Sequence, residues 1–244
     1  MIERSESGGI VTLRLNHGKA SAIDVELFEA LRDQLDACAD ARAVVLTGSG
    51  SIFCAGVDLF RLLDGGAEYV RRFFPLLRDV IRQLFTMPLP VVAAANGHAI
   101  AGGAILVYAC DLRLMSGGRI GTPELLVGVP FPAAALEVVR FAVRDVQRFV
   151  YSGATLPPQE ALAAGMIDEV VAPDALLARA HEVAAQLAAI PRQSFRITKA
   201  QLRAPAVEAM RLGESSDAEA LAVWSDPAVH QHIREYLPRT VRKS

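Results

Sequence analysis

The reading of this chain turns on Asn96-Gly97-His98-Ala99-Ile100-Ala101-Gly102-Gly103-Ala104-Ile105-Leu106. The run before it, Pro90-Val91-Val92-Ala93-Ala94-Ala95, is apolar and bounded by turn residues, which predicts a buried strand. After the Gly pair, Ala104 to Cys110 carries no charge and suits a short helix sunk in the core. A helix that starts at a Gly pair leaves free backbone N–H groups at its positive end, and Gly lets a ligand oxygen come close to them. Such a place suits an anion or a developing oxyanion. A Gly pair also permits tight packing of helix on strand, so this signal gains its weight from a second Gly turn upstream. That turn, Phe53-Cys54-Ala55-Gly56-Val57-Asp58-Leu59, follows another strand-like run, Ala43-Val44-Val45-Leu46-Thr47. Two such turns can each offer one N–H to the same oxygen.

The chain has 244 residues, 52% of them apolar, enough for the core of one large domain or of one domain with an appendage. Charges interrupt every long apolar segment short of the ~18 residues that a membrane span needs. The apolar excess is therefore expected to serve subunit contacts, which predicts a homo-oligomer. Net charge is −2 and the basic residues are scattered, apart from a short tail at Arg239, Arg242 and Lys243, so nucleic acid is not an expected partner. Met1-Ile2-Glu3-Arg4-Ser5-Glu6 carries acids and has no apolar stretch of the kind a secretory signal contains, and a cytoplasmic location is expected. Three cysteines at wide spacing, Cys38, Cys54 and Cys110, argue against a disulfide framework or a zinc site and predict reduced, buried thiols.

Ile10 to Leu15 alternates apolar and polar residues as a half-buried strand does, and a turn at Asn16-His17-Gly18-Lys19 follows it. Asp24 is placed to cap an amphipathic helix that runs to Cys38 with Val25, Leu27, Phe28, Leu31 and Leu35 on one face. A longer helical pattern spans Ala67 to Phe85, with Pro75 expected to kink or divide it. Asp111 to Met115 reads as a short strand, Ile120 to Glu124 as irregular, Arg140 to Tyr151 and Pro157 to Ala164 as helices, and Met166 to Val171 as a strand. Alternation of strand and helix points to an α/β core with right-handed crossovers. Beyond Asp174 the pattern is helical, with breaks expected near Pro191 and Pro205. Residues 1–190 are accordingly read as the core, and 191–244 as a helical segment covering that core or a neighbouring subunit.

The two Gly turns and the segment Thr122-Pro123-Glu124 together resemble the crotonase superfamily, the enoyl-CoA hydratase/isomerase family. Three separated motifs occur in the right order, and the likeness extends over nearly the whole chain. It implies a spiral of ββα units with C-terminal helices that assemble trimers, often paired into hexamers. It also implies an acyl-CoA thioester as substrate, coenzyme A being part of that substrate and not a separate cofactor. By this likeness the backbone N–H groups of Val57 and Gly102 polarise the thioester carbonyl, a kind of contact worth on the order of 3 kcal/mol per donor in comparable sites. The loop after the first strand, His17-Gly18-Lys19-Ala20-Ser21-Ala22-Ile23, is implied to receive the CoA nucleotide, with Lys19 near the phosphates. Ser21 stands there in place of the family's more usual Asn. The implied substrate-binding set is Lys19, Ala20, Ala22, Ala55, Asp58 and Leu59.

Hydratases of that family use two glutamates. The second is present as Glu124, whereas Ile105 occupies the position of the first. Adding water across a conjugated double bond calls for two groups handling protons at neighbouring carbons; moving a double bond from the 3 to the 2 position calls for one carboxylate that takes a proton and returns it two carbons away. The pattern thus resembles the Δ3,Δ2-enoyl-CoA isomerases, with Glu124 as the acid/base. Ile105, Leu125 and Phe131 are expected to desolvate Glu124 and raise its pKa. Two alternatives stay open: hydration or another crotonase-type reaction by altered groups, and a non-catalytic acyl-CoA-binding subunit.

Glu137 is a weaker candidate for a second carboxylate, set against a plain helix acid facing solvent. His98 is expected to be a satisfied structural histidine, Cys54 a small core residue and Asp58 a cap. His230 and His232 are too sparse a set for a metal site, so no metal is expected.

Overall fold

The apolar runs at Ala43 and Val91 become the centre of a parallel sheet. The computed structural model describes residues 1–240 and side chains as far as 238, so the side chains of the basic tail at Arg239, Arg242 and Lys243 lie outside the described residues. The chain opens with an antiparallel pair, β1 (Ile2–Ser7) and β2 (Ile10–Leu15), followed by helix α1 (Val25–Asp36). Asp24 caps α1 as expected, its side chain accepting from the Leu27 N–H. Three strand-strand-helix turns come next: β3 (Ala43–Thr47), β4 (Ile52–Cys54) and α2 (Leu59–Thr86); β5 (Val91–Ala95), β6 (His98–Ile100) and α3 (Gly102–Ala109); β7 (Leu112–Met115), β8 (Ile120–Gly121) and α4 (Glu124–Val127). The remainder is α5 (Ala133–Ala142), α6 (Val146–Ser152), β9 (Thr155–Leu156), α7 (Pro158–Ala163), β10 (Glu169–Val170), α8 (Leu176–Ala188), α9 (Arg192–Trp224) and α10 (Pro227–Thr240).

In each turn the first strand joins one sheet, ordered β1-β2-β3-β5-β7-β10, and the second joins another, ordered β4-β6-β8-β9. From β2 onward the larger sheet is parallel, and in the smaller one only β9 runs antiparallel to its neighbour. This is the expected α/β spiral of ββα units with a helical C-terminal region.

The period-2 alternation of the strands sorts their residues between two cores. Val44 and Leu46 of β3 face the main core, while Ala43 and Val45 face a second cluster closed by Leu176, Ala180, Val183 and Ala184 of α8. Because α8 covers that second face, β2 is buried on both sides rather than half-buried; Thr12, on its polar side, pairs with His181 Nε2 at 2.9 Å.

Neither proline breaks its helix. Pro75 and Pro205 lie inside α2 and α9, and the break in α2 falls instead at Gly66, where φ is 57° and ψ −153°. The carbonyls that the two prolines leave without a partner belong to Arg71 and Gln201, both exposed, so water can take the lost bond. The break near Pro191 does occur, between α8 and α9. Arg140 to Tyr151 is two helices, α5 and α6, and the strand expected over Met166 to Val171 is reduced to β10.

Helix α9 is tied to the core by buried charge. Asp111 accepts from Lys199 Nζ at 2.7 Å and from Arg203 at 2.8 Å. Arg203 also donates to the carbonyls of Phe85, Ala109 (3.0 Å) and Cys110 (3.3 Å), which end α2 and α3, so a cation sits where both helix dipoles are negative. Burial lowers the Lys199 pKa to about 8, against the opposing pull of Asp111.

Candidate active site

The two Gly turns meet. Gly56 has φ +85°, and a Cβ added there would lie 2.8 Å from Ala101 Cβ and 3.3 Å from the Gly102 nitrogen; a Cβ added to Gly102 would lie 4.0 Å from the Val57 nitrogen. At Gly103 a Cβ would fall 2.2 Å from the Cys54 carbonyl, so only glycine lets α3 pack this closely on the end of β4. Ala101, which precedes the first N–H of α3, holds φ 53° and ψ −125°, a strained conformation for a residue with a side chain. Its N–H donates to the Gly121 carbonyl at 2.8 Å and its carbonyl accepts from Ile105 at 3.1 Å, which keeps the turn in place. Among the described residues, neither the Val57 nor the Gly102 amide donates to another group.

The expected CoA loop lies against the first of these turns. Ala55 N–H donates to the Ala20 carbonyl (3.0 Å), Ile23 N–H to Gly56 (2.8 Å) and Asp58 N–H to Ile23 (2.9 Å). Ala20 and Ala22 are half-buried, while Lys19 is exposed at the tip. The Asp58 carboxylate is engaged as the cap of α2, accepting from Phe60 and Arg61 N–H at 3.0 Å each.

A cavity of about 280 Å³ opens beside the amides and brings Ala55, Val57, Leu59, Gly102, Ile105 and Glu124 together. Among the described residues that line it, Glu124 alone carries a carboxyl group. Glu124 is the first residue of α4, placed by Pro123 before it and by the left-handed Gly128 (φ 92°) after it. It is 7% exposed, and neither carboxylate oxygen has a hydrogen-bond partner. Burial pushes its pKa up to about 8, with only its own backbone N–H working against that. Ile105 and Phe131 line the same cavity, as expected, but Leu125 is exposed and is not part of that wall.

The other candidates are accounted for elsewhere. Glu137 is paired with Arg140 at 2.7 Å and is not part of the cavity wall, so it supplies no second carboxylate. His98, expected to be a satisfied structural histidine, is exposed. Cys54 is buried and its thiol pushed up to about 12, which leaves it inert. His230 Nε2 meets the Trp224 carbonyl and His232 Nε2 the Leu126 carbonyl, separate tasks at separate places.

The family model described as enoyl-CoA hydratase/isomerase matches residues 5–239. The chain belongs to the enoyl-CoA hydratase/isomerase family. It is 25% identical over 253 aligned positions to rat enoyl-CoA delta isomerase 1, mitochondrial, covering 100% of this chain and 88% of the relative. It is 29% identical over 208 positions to the crotonyl-CoA hydratase of Syntrophomonas wolfei, covering 82% and 79%. Among solved structures, an enoyl-CoA hydratase from Mycobacterium ulcerans superimposes with a TM-score of 0.83 at 31% identity, over 90% of this chain and 98% of that one. The human mitochondrial delta3-delta2-enoyl-CoA isomerase reaches 0.91 at 23% identity over 98% and 97%, a likeness of fold. No helix among the described residues is long and apolar enough to cross a membrane.

The far wall of the cavity is built from residues outside the sequence motifs. Leu77 and Ile81 reach it from α2, Trp224 from α9, and Tyr236 and Leu237 from α10. Trp224, the chain's single tryptophan, is fixed there by an N–H bond to the Pro130 carbonyl (2.8 Å) and an edge contact with Phe74 (5.8 Å). A lone tryptophan in a helix otherwise rich in charge was the available signal.

Proposed function

We propose that this enzyme moves the double bond of a 3-enoyl-CoA to the 2 position. Glu124, ionised, removes a proton from the carbon next to the thioester carbonyl, and the electrons pass through that carbonyl to give a dienolate. The amides of Val57 and Gly102 hold the negative oxygen. The protonated Glu124 then delivers the same proton to the carbon two places further on, leaving the conjugated 2-enoyl thioester and regenerating the carboxylate. What carries this reading is that the cavity offers, among its described lining residues, one carboxylate, unpartnered and free to serve both carbons, with Ile105 where a hydratase-type pattern has its other glutamate.

The nucleotide end of CoA is assigned to the loop of Lys19, Ala20 and Ala22, with Ala55, Asp58 and Leu59 along the path inward. A homotrimer or hexamer is the proposed assembly, with no cofactor beyond the CoA of the substrate. The test gives purified protein 3-enoyl-CoA and 2-enoyl-CoA in parallel and follows the conjugated thioester by absorbance. Its appearance from the 3-enoyl compound, and loss of that activity in Glu124→Gln, is the expected result. Fast hydration of the 2-enoyl compound would favour a hydratase instead, and binding without turnover a non-catalytic subunit.

A further inference from the structure

His17 and Asp24 close the loop assigned above to the nucleotide end of CoA. His17 follows the end of β2 and Asp24 precedes α1. Seven residues apart, they meet where the imidazole Nε2–H donates to Asp24 Oδ2 at 2.7 Å. Asp24 is 4% exposed, and its other oxygen caps α1, accepting from the Leu27 N–H at 2.7 Å. Both oxygens of a buried carboxylate are thus engaged, one by the loop and one by the helix. Inside the closed loop the His17 N–H meets Ser21 Oγ at 3.4 Å. Ser21 holds φ 44°, a left-handed conformation that a residue with a side chain keeps only under outside support.

The inner edge of the same loop is fastened to the amide turn by main chain alone. Ile23, next to Asp24, forms a bridge with Val57, giving its N–H to the Gly56 carbonyl at 2.8 Å and accepting from the Asp58 N–H at 2.9 Å. A trans peptide directs its C=O and N–H to opposite sides, so the Ile23 bond to Gly56 turns the Val57 N–H away from the loop. Support therefore comes in two layers. The main-chain bridge aims the Val57 amide, and the His17–Asp24 bond fixes the course of residues 18–22, which carries Lys19 at its tip.

We infer that His17 is a positioning residue for the nucleotide end of the substrate, acting through Asp24 to hold the loop of Lys19, Ala20 and Ala22 in the shape that receives it. A hydrogen bond to a buried carboxylate is strong enough to select one loop conformation among many, and a loop already ordered has no ordering cost at the moment of binding. The effect belongs to nucleotide recognition, because the bridge that aims Val57 needs neither the imidazole nor its bond. The inference rests on the CoA assignment proposed above, and the experiment separates the two.

Calorimetry would give Kd for free coenzyme A, and kinetics would give KM and kcat on the 3-enoyl thioesters of CoA and of pantetheine, which lacks the nucleotide, for the parent, His17→Ala and His17→Gln. His17→Ala is expected to raise the CoA Kd and the KM of the CoA thioester about tenfold, to raise the KM of the pantetheine thioester far less, and to move kcat less than KM. His17→Gln, whose side-chain amide can place an N–H where the ring Nε2–H stood, should recover most of the loss. His17→Leu, which keeps bulk without the donor, repeats the measurement should His17→Ala not fold. Parental CoA affinity in His17→Ala, an equal loss on both thioesters, or no recovery in His17→Gln would overturn the role of His17 alone. A parent that binds no free CoA, or that treats the two thioesters alike, would overturn the placement of the nucleotide on this loop and this inference with it. The CoA Kd is readable whichever reaction the protein catalyses.

Discussion

Replacing Glu124 by Gln removes a charge from a place where the protein holds it at a cost, and that cost has a pH signature. The carboxyl has a reference pKa of 4.5 and is raised by burial to about 8 in the folded chain. Below 4.5 both folded and unfolded chains carry it neutral, and it costs nothing. As pH rises past 4.5 the unfolded chain ionises first, so stability falls with pH until the folded carboxyl ionises near 8, and then levels off. At 1.36 kcal/mol per pH unit, the interval from 4.5 to about 8 amounts to roughly 5 kcal/mol at pH 9, against roughly 1 to 1.5 at pH 5.5. Gln has no such dependence; its amide, buried without a partner, costs about 1–3 kcal/mol at every pH. The stability of Glu124→Gln relative to the parent should therefore rise by about 3 kcal/mol between pH 5.5 and pH 9, whatever the amide costs. For a chain of this size that is about 6 to 12 °C in relative melting temperature. Thermal melts of both proteins at equal concentration, in buffers from pH 5.5 to 9, read the effect. A difference that stays constant across that range would refute a neutral, desolvated Glu124, and the proposed base with it. The same ionisation predicts parent activity that climbs through about pH 8 and falls as pH drops.

Ile105→Glu places a second carboxylate in the same cavity wall and should introduce measurable hydration of 2-enoyl-CoA, while like-charge repulsion pushes the Glu124 titration higher still. A folded variant with no hydration and an unmoved titration would count against Ile105 facing the substrate. Gly103→Ala drives a methyl into the Cys54 carbonyl and should cost about 3 kcal/mol in urea denaturation, whereas Gly117→Ala, whose added Cβ meets nothing within 4 Å, should be tolerated. Asp111→Asn leaves Lys199 and Arg203 buried without their counter-charge and should destabilise by about 3–5 kcal/mol in the same measurement; a loss under 1 kcal/mol would show the network to be dispensable.

The parts of the fold that sequence made legible were those decided locally. Ala43 to Thr47 and Val91 to Ala95 are continuous apolar runs because helices cover both faces of their sheet, and the Gly turns announce themselves because no other residue fits at Gly56 or Gly103. The strands β4, β6, β8 and β9 are two or three residues long, too short to show a period, and exist because the spiral brings their backbones together. Pro75 and Pro205 misled for a related reason: a proline breaks a helix only when the carbonyl it strands has nowhere to go, and exposure of Arg71 and Gln201 is a tertiary fact. Glu124 and its apolar surroundings followed from motif and neighbours, but Leu125 did not, since one residue along a short helix is enough to turn a side chain from cavity to solvent. The wall supplied by Trp224, Tyr236 and Leu237 joins residues some hundred positions apart from Glu124, a distance at which spacing carries no information.

That wall makes the cavity beside Glu124 a product of both ends of the fold. A guest in the chamber touches the spiral on one side and the last two helices on the other, so each molecule bound is also a fastener between them. A ligand at a hundred times its dissociation constant adds about 2.7 kcal/mol to whatever it bridges. Protein with the proposed thioester bound should accordingly resist proteolysis in α10 better than empty protein, and a chain cut after Ser225 should keep its paired amides while losing the part of the cavity wall that Tyr236 and Leu237 supply.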